Sequence, residues 1–453
     1  MKPAQLGQRF ITLMLVLPLG LAAVDAAAGD TEKVDASATK SAATLTPTAI
    51  DLKQKWTRHV IAAGSAVLRG SDGVSLTETS GRLTIVSGHE QGNKVSVSVR
   101  PENPADVKSP WPKVVLPADV SGPAGRIDGP EDAVFADVDR DGSLDVIVGA
   151  EAGKRAVVLF APKGSQNLLD ASLWQRMDLG AGVMRVMRVA FKNVAGDRTS
   201  WPEIVVGGKS GGQGATIGYY RLTDPSSPRA ATSWTYTPIR DVGWVMQMLI
   251  RDIADDGDND VVYTDREGSG SGLRWLESSG GDAPTWTVHE ISPKEPHHKW
   301  FDIAKWNGGN SIAIADCRSR TTPPLNVYTL WLNNGDWMSW EPHPIDSQAN
   351  VGECHHIAFS DVDNAGPKDL GITHSHAGGG KSGVIWLHNA GSEADPQWQR
   401  GEISGKTTAA GIKFDNLIWH DIDKDGDLDL VTSEQLVGGI GLGVIWYENP
   451  LEP

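Results

Sequence analysis

Short apolar runs bounded by Gly, Asp and Asn recur from about residue 55 to the end of the chain. Such runs predict many strands and turns, and few helices. The best copy of the repeating unit is Asp421-Ile422-Asp423-Lys424-Asp425-Gly426-Asp427-Leu428-Asp429, then Leu430–Ser433, then Gly443–Pro450. It reads as a tight acidic turn between two strands, a glycine-rich loop and a third strand. A tryptophan opens a further strand in each unit: Trp56, Trp111, Trp174, Trp234, Trp286, Trp340 and Trp398. These seven positions are spaced from 52 residues (Trp234 to Trp286) to 63 (Trp111 to Trp174). Apolar–acidic inner strands keep step at Val134–Asp137, Val189–Asn193, Met248–Asp252, Phe301–Asp302, Ile357–Asp361 and Leu417–Asp421. So do aromatic strands at Val157–Phe160, Ile217–Tyr220, Leu273–Leu276, Val327–Leu332, Val384–Leu387 and Val444–Tyr447.

About four short strands in each period near 50 residues predict propeller blades. The expected fold is all-β: a seven-bladed β-propeller of four-stranded antiparallel blades over residues 51–453. The chain begins with a lone outer strand, Trp56–Ala62, and ends with three strands that lack one. The N-terminal strand is therefore expected to join the last blade and close the ring, which removes an open sheet edge. The first blade, about 64–117, is the most degenerate copy.

Composition changes the picture at the N-terminus and in the partners it excludes. Lys2 and Arg9, the apolar run Ile11–Ala23 and the small residues Ala26, Ala27 and Ala28 form a secretory signal, expected over residues 1–28. The run is too short for a membrane span. Residues 29–50 are rich in Ala, Thr, Ser and Asp and read as a disordered linker. The expected location is the periplasm or the extracellular medium. The net charge of −16 argues against a nucleic-acid surface, which needs clustered Lys and Arg.

Much of the acid lies in the turns. Asp137, Asp139, Asp141 and Asp145 share the pattern D-x-D-x-D-G-x-x-D with Asp421, Asp423, Asp425 and Asp429. Alternating carboxylates on a tight turn can wrap one hard cation, so structural Ca²⁺ is expected there. An EF-hand would need Glu at loop position 12, where Val148 and Thr432 stand. Asp252, Asp256 and Asp260 form a partial copy, as do Asp361, Asp363 and Asp369. The alternative is that these residues only cap turns. The acidic pattern, the apolar strand after it and the GVIWYENP-type strand resemble the FG-GAP/VCBS repeat family over about residues 55–450. That resemblance implies a calcium-stabilised propeller of the kind found in the integrin α-subunit head. Blades 1, 3 and 5 lack the acidic motif.

In such a blade the start of strand one and the end of strand two share one face, opposite the acidic turns. That mouth collects Glu131, Asp132, Arg185, Arg188, Gln247, Lys299, Lys413, Asp415 and Asn416 from strand starts. Glu151, Lys154, Lys209, Asp265, Arg266, Arg318, Arg320, Glu434 and Gln435 come from strand ends. Six of the twelve histidines fall there too: His297, His298, His355, His356, His374 and His376. The candidate catalytic set is His298, His355, His356, His374, His376, Arg266, Arg318 and Lys413. His374 and His376 are expected on one side of a strand, since side chains repeat with period two. With His355 or His356 they would make either a second metal site or a general base. Arg266, Arg318, Arg320 and Lys413 suit an anionic ligand such as a uronate. The bland alternative is that these groups pair with Asp265, Asp316 or Glu434 and hold loops. Cys317 and Cys354 lie on this face in adjacent blades, and export permits a disulfide between them; the other reading is two buried thiols.

Three readings follow. One is a carbohydrate-acting lyase or dehydratase working by β-elimination, since similar seven-bladed propellers occur among uronate-polysaccharide lyases and in aldos-2-ulose dehydratase. The second is a non-catalytic propeller that binds a glycan or a protein partner. The third is a structural repeat module.

Overall fold

The computed structural model describes residues 51–451 apart from 80, 118–122, 181–183, 196–199, 211–213, 310, 322–323, 347 and 408–411. The expected signal and linker, residues 1–50, lie outside the described residues. The described chain forms seven antiparallel sheets in a β-propeller, and its helical residues are short 3-10 turns. Blade 1 comprises Ser71–Thr79, Arg82–His89, Lys94–Val99 and Lys113–Leu116. Blade 2 runs from Pro130–Ala136 to Gln175–Gly180, and blade 3 from Arg185–Lys192 to Trp234–Val242. Blade 4 runs from Val245–Arg251 to Trp286–Glu290, blade 5 from His298–Trp306 to Glu341–Ile345, and blade 6 from Glu353–Ser360 to Trp398–Glu402. Blade 7 takes its fourth strand from the start of the chain: Thr57–Ala63 pairs antiparallel with Gly443–Glu448, as expected.

No blade has a core of its own. The buried apolar residues fall into seven layers, one at each seam between neighbouring blades. The layer of Ile61, Val74, Ile85, Trp111, Val431 and Trp446 joins blade 7 to blade 1, so ring closure is hydrophobic as well as hydrogen-bonded. The recurring tryptophans have a local reason. Trp111, Trp174, Trp234 and Trp340 donate Nε1–H to a carbonyl of the loop just before the outer strand, at 2.8–3.1 Å. Each closes that loop with its ring against the blade.

The inner strands carry one irregularity that the alternation of the sequence hides. In blades 1 to 6 the pairing of strands one and two slips by one residue near the start of strand one. A bulge of this kind re-aims a side chain. The extra residues are Gly73, Glu131, Met187, Met246, Lys299 and His355. In blade 7 the first strand is split into Ile412–Phe414 and Ile418–His420. The break has a cause: Leu417 N–H donates to His356 Nδ1 of blade 6 at 3.1 Å instead of to its own sheet.

Candidate functional site

The acidic turns lie at the opposite end of the inner strands from the mouth. Their last carboxylate is a repeated structural staple. Asp145, Asp260, Asp369 and Asp429 are fully buried. One oxygen of each accepts the backbone N–H of the second turn residue (Val138, Ile253, Val362, Ile422) at 2.8–3.0 Å. The other accepts an N–H at the end of strand three (Ala161, Ser278, Asn389, Asn449) at 2.7–2.9 Å. Burial pushes Asp145 and Asp429 up to about 8 and Asp260 up to about 6. The first carboxylate folds the turn: Asp137 accepts Gly142 N–H, Asp252 accepts Asp256 and Gly257, and Asp421 accepts Lys424, Asp425 and Gly426.

Cationic side chains already reach three of these turns. Arg229 of blade 3 bridges Asp139 and Asp141 of blade 2. Lys108 of blade 1 lies 3.3 Å from Asp423 of blade 7. His388 sits 2.9 Å from Asp363 and 3.4 Å from Asp369, and these carboxylates raise it to about 9. In blade 7, Asp421, Asp423 and Asp425 gather oxygens within 4.8 Å, and buried oxygens of Asp423 and Asp427 have no hydrogen-bond partner.

At the mouth the predicted residues separate. His298 is fully buried with Nδ1 3.1 Å from Asp316, and its Nε2 meets Ser292 at 3.4 Å. His374 is fully buried between Tyr328 OH (2.9 Å) and the Gly383 carbonyl (3.2 Å), and burial pushes it down to about 3. The strand ends at Ser375, and His376 takes φ +52° and is exposed. The expected pairing of His374 with His376 is thus corrected: the period-two rule fails where the strand stops. Arg318 is held by Glu295. His356 stacks on Trp300 with ring centroids 4.2 Å apart. Four groups of three or more acidic, His or Cys ligand atoms gather within 4.8 Å among the described residues, and none includes a histidine of this face. The imidazoles are dispersed and do not meet as a metal centre. Of the two readings of Cys317 and Cys354, the structure shows the buried thiols: both are free and fully buried, inside the apolar layer between blades 5 and 6.

What the structure brings together is a ring of charge built on the bulges. Lys413 of blade 7 bridges Asp415 (2.8 Å) and Asp72 of blade 1 (3.2 Å). The carboxylates raise its pKa against the effect of burial. His355 Nε2 lies 3.2 Å from the same Asp415, and its buried Nδ1 has no partner. Burial and the neighbouring Lys413 hold this imidazole well below its ordinary pKa, hence neutral. Asp72, Glu90 and Glu131 place carboxylate oxygens within 4.8 Å of one another. Gly73 makes that approach possible: a Cβ there would lie 2.5 Å from Asp132 Cα and 2.7 Å from the Glu131 carbonyl oxygen. Glu151 Oε1 takes Lys209 at 2.8 Å and Arg185 at 3.0 Å. Lys209 and Arg266 lie 3.7 and 4.4 Å from the Trp244 ring centroid. Arg188 packs 4.3 Å over Trp300, and Lys299 pairs with Glu353 at 3.3 Å.

Of the predicted catalytic set, His355 and Lys413 stand in this ring and Arg266 at its edge. Asp72 and Glu90 were not legible, because blade 1 has no acidic turn to mark where its inner strand begins. Glu353, Trp244 and Trp300 carry no motif either.

No protein-family model matches the chain, and no curated protein matches it. Solved structures match in fold. Sqt1 of Chaetomium thermophilum aligns with a TM-score of 0.50 at 10% identity, over 87% of this chain and 98% of that one. The GH93 α-L-arabinofuranosidase of Fusarium graminearum with arabinobiose aligns with a TM-score of 0.46 at 11% identity, over 87% and 98%. A Chaetomium thermophilum Sqt1 bound to the N-terminus of ribosomal protein L10 aligns at 0.44 and 9% identity, over 87% and 100%. At these identities the likeness is one of fold. No helix among the described residues is long and apolar enough to cross a membrane.

Proposed function

We propose that this protein is an exported, carbohydrate-acting enzyme of FG-GAP/VCBS type, performing β-elimination on an anionic sugar at the bulge-lined mouth. One observation carries the reading: the ring is divided by charge. Carboxyl groups gather on blades 1 and 2 (Asp72, Glu90, Glu131), while Arg185, Lys209, Arg266 and Lys299 come from blades 3 to 5. Elimination asks for both halves. A cation neutralises the substrate carboxylate and acidifies the proton beside it. His355, with Nε2 on Asp415 and Nδ1 unpartnered, has the form of a general base. It takes the α-proton while the carbon–carbon double bond forms and the carbon–oxygen bond breaks. A carboxyl of the acidic arc returns a proton to the departing oxygen.

The test is ultraviolet absorbance of the new conjugated double bond over a panel of uronate polysaccharides, with reducing-end release followed in parallel. Absorbance that rises with wild type and not with His355→Ala supports the reading. Reducing ends without absorbance indicate hydrolysis, and no product with retained glycan binding indicates a binding propeller; either outcome overturns elimination.

Structural calcium belongs to the same proposal and is best supported in the turn of blade 7, where Asp421, Asp423, Asp425 and Asp427 leave two buried oxygens unpartnered. Terbium luminescence lost in Asp423→Asn would agree; equal luminescence in both proteins would not.

A further inference from the structure

We propose that the acidic turn of blade 6 is a site for a divalent transition ion of the zinc class, held by Asp363, Asp369 and His388. It lies at the end of the inner strands away from the mouth and does not depend on the catalytic reading. The turn differs from that of blade 7 in two coupled ways. Where blade 7 has Asp425 and Asp427, blade 6 has Ala365 and Pro367. Two carboxylates are thus missing from an oxygen cage, and calcium takes roughly six to eight oxygens. In their place strand three supplies a nitrogen. The buried staple fixes the register, since Asp369 and Asp429 accept the N–H groups of Asn389 and Asn449. The residue before is His388 in blade 6 and Glu448 in blade 7. The same N–H groups in blades 2 and 4 belong to Ala161 and Ser278, and the residues before them are Phe160 and Glu277. Of these four blades, blade 6 alone brings an imidazole to its turn.

The geometry is that of ligands. Asp363, Asp369 and His388 each bring one ligand atom within 4.8 Å of the others. The backbone fixes both carboxylates: Asp363 Oδ1 accepts Ala365 N–H at 3.0 Å, Asp369 Oδ2 accepts Val362 N–H at 3.0 Å, and Asp369 Oδ1 accepts Asn389 N–H at 2.7 Å. Asp363 Oδ2 is left over. The Asp363 side chain is 3% exposed, and this oxygen is buried with no hydrogen-bond partner. His388 Nδ1 lies 2.9 Å from it and is buried with no hydrogen-bond partner either. A ring nitrogen aimed at an oxygen that near makes a hydrogen bond, so the imidazole points past Asp363. Two ligands of one zinc ion do the same: at about 2.0–2.1 Å from the metal and about 90–110° apart, they stand about 2.8–3.4 Å from each other. His388 Nδ1 is 2.9 Å from Asp363 and 3.4 Å from Asp369. Asp361 adds a further buried oxygen without a partner on the same turn, its other oxygen being held by Gly366 N–H at 3.0 Å. An imidazole nitrogen among carboxylate oxygens suits zinc-class ions, whereas calcium takes oxygen alone. The ion would tie the turn of strands one and two to strand three, with His388 a neutral ligand.

The test is calorimetric titration of Zn²⁺ into the purified protein, with Ca²⁺ in large excess to fill any all-oxygen turn. One equivalent of zinc should bind, and His388→Gln should weaken it by more than about 100-fold, since a direct ligand matters more than an outer-shell partner. His289→Gln removes the histidine that pairs with Glu277 in blade 4, and it should leave zinc binding unchanged. Co²⁺ in place of zinc should give visible absorption bands that zinc abolishes and that His388→Gln lacks. Zinc should also raise the melting temperature of wild type and not of His388→Gln. No zinc uptake, or uptake equal in wild type and His388→Gln, would overturn the site and leave His388 as an ion-pair partner of Asp363 and Asp369. Zinc displaced by the calcium excess would overturn it in favour of an ordinary calcium turn. Should His388→Gln fail to fold, Asp363→Asn carries the same expectation, and undiminished zinc binding in that variant would overturn the proposal.

Discussion

Lys413 shows most directly how single residues decide this site. It holds Asp72 and Asp415, which are 2% and 0% exposed. Removing one partner of a buried charge group leaves the others uncompensated, which costs about 3–5 kcal/mol. Lys413→Met is therefore expected to lower the stability read by urea denaturation by that amount, with partial recovery on adding Asp415→Asn. A loss below about 1 kcal/mol would mean that water already solvates these carboxylates. Lys413 was legible as a functional candidate because it begins an inner strand. Its partner Asp72 was not, and nothing in the local sequence of blade 1 joins the two.

At the scale of one element, the acidic turn is a composite of two roles. Its last carboxylate ties the turn to strand three through two buried N–H groups, and no screening applies to it. Asp145→Ala leaves both N–H groups unpaired and is expected to cost about 2–3 kcal/mol. Its middle carboxylates face an exposed cation. Arg229 is 36% exposed, so Arg229→Ala is expected to cost about 1 kcal/mol or less at low salt and almost nothing near 1 M salt. A salt-independent loss in Arg229→Ala would show that its packing over Phe160, 4.9 Å from the ring centroid, matters more than its charge. Both roles fall on the same D-x-D-x-D-G-x-x-D pattern. The pattern predicted the turn, but it cannot tell a staple from a ligand.

For the whole molecule, closure is the controlling feature. A chain lacking Trp56–Ala63 leaves Gly443–Glu448 as an open edge and uncovers part of the layer between blades 7 and 1. It is expected to aggregate, and a synthetic peptide spanning Trp56–Ala63 should restore a monomer in gel filtration; a soluble truncated monomer would count against closure as the source of stability. Acid should also unfold the ring cooperatively. His89 and His374 are fully buried and held near 3 by burial. Because their folded pKa lies below the unfolded value, their contribution is complete above about pH 6.5 and declines as pH falls toward 3. Each adds a slope of about 1.4 kcal/mol per pH unit across that window. His89→Gln, which keeps contacts with Ser71 and Ser96, should flatten the fall in stability between pH 6.5 and 4. An unchanged slope would show that His89 is solvated before unfolding.

The sequence by itself determined the blade count, the strand order, the opposed placing of acidic turns and mouth, and the Velcro-like closure through Trp56. These follow from local rules: apolar runs of strand length, turn chemistry and a tryptophan that opens each outer strand. Only the tertiary structure decided which polar residues meet. A one-residue bulge in each of blades 1 to 6 reverses the alternation on which facing was inferred, and it brings Glu131, Lys299 and His355 to the ring. The end of a strand at Ser375 separates His374 from His376. The Lys413–Asp72 and His355–Asp415 contacts join different blades. Their partners lie far apart in the chain, and only the radial packing of the blades makes them neighbours.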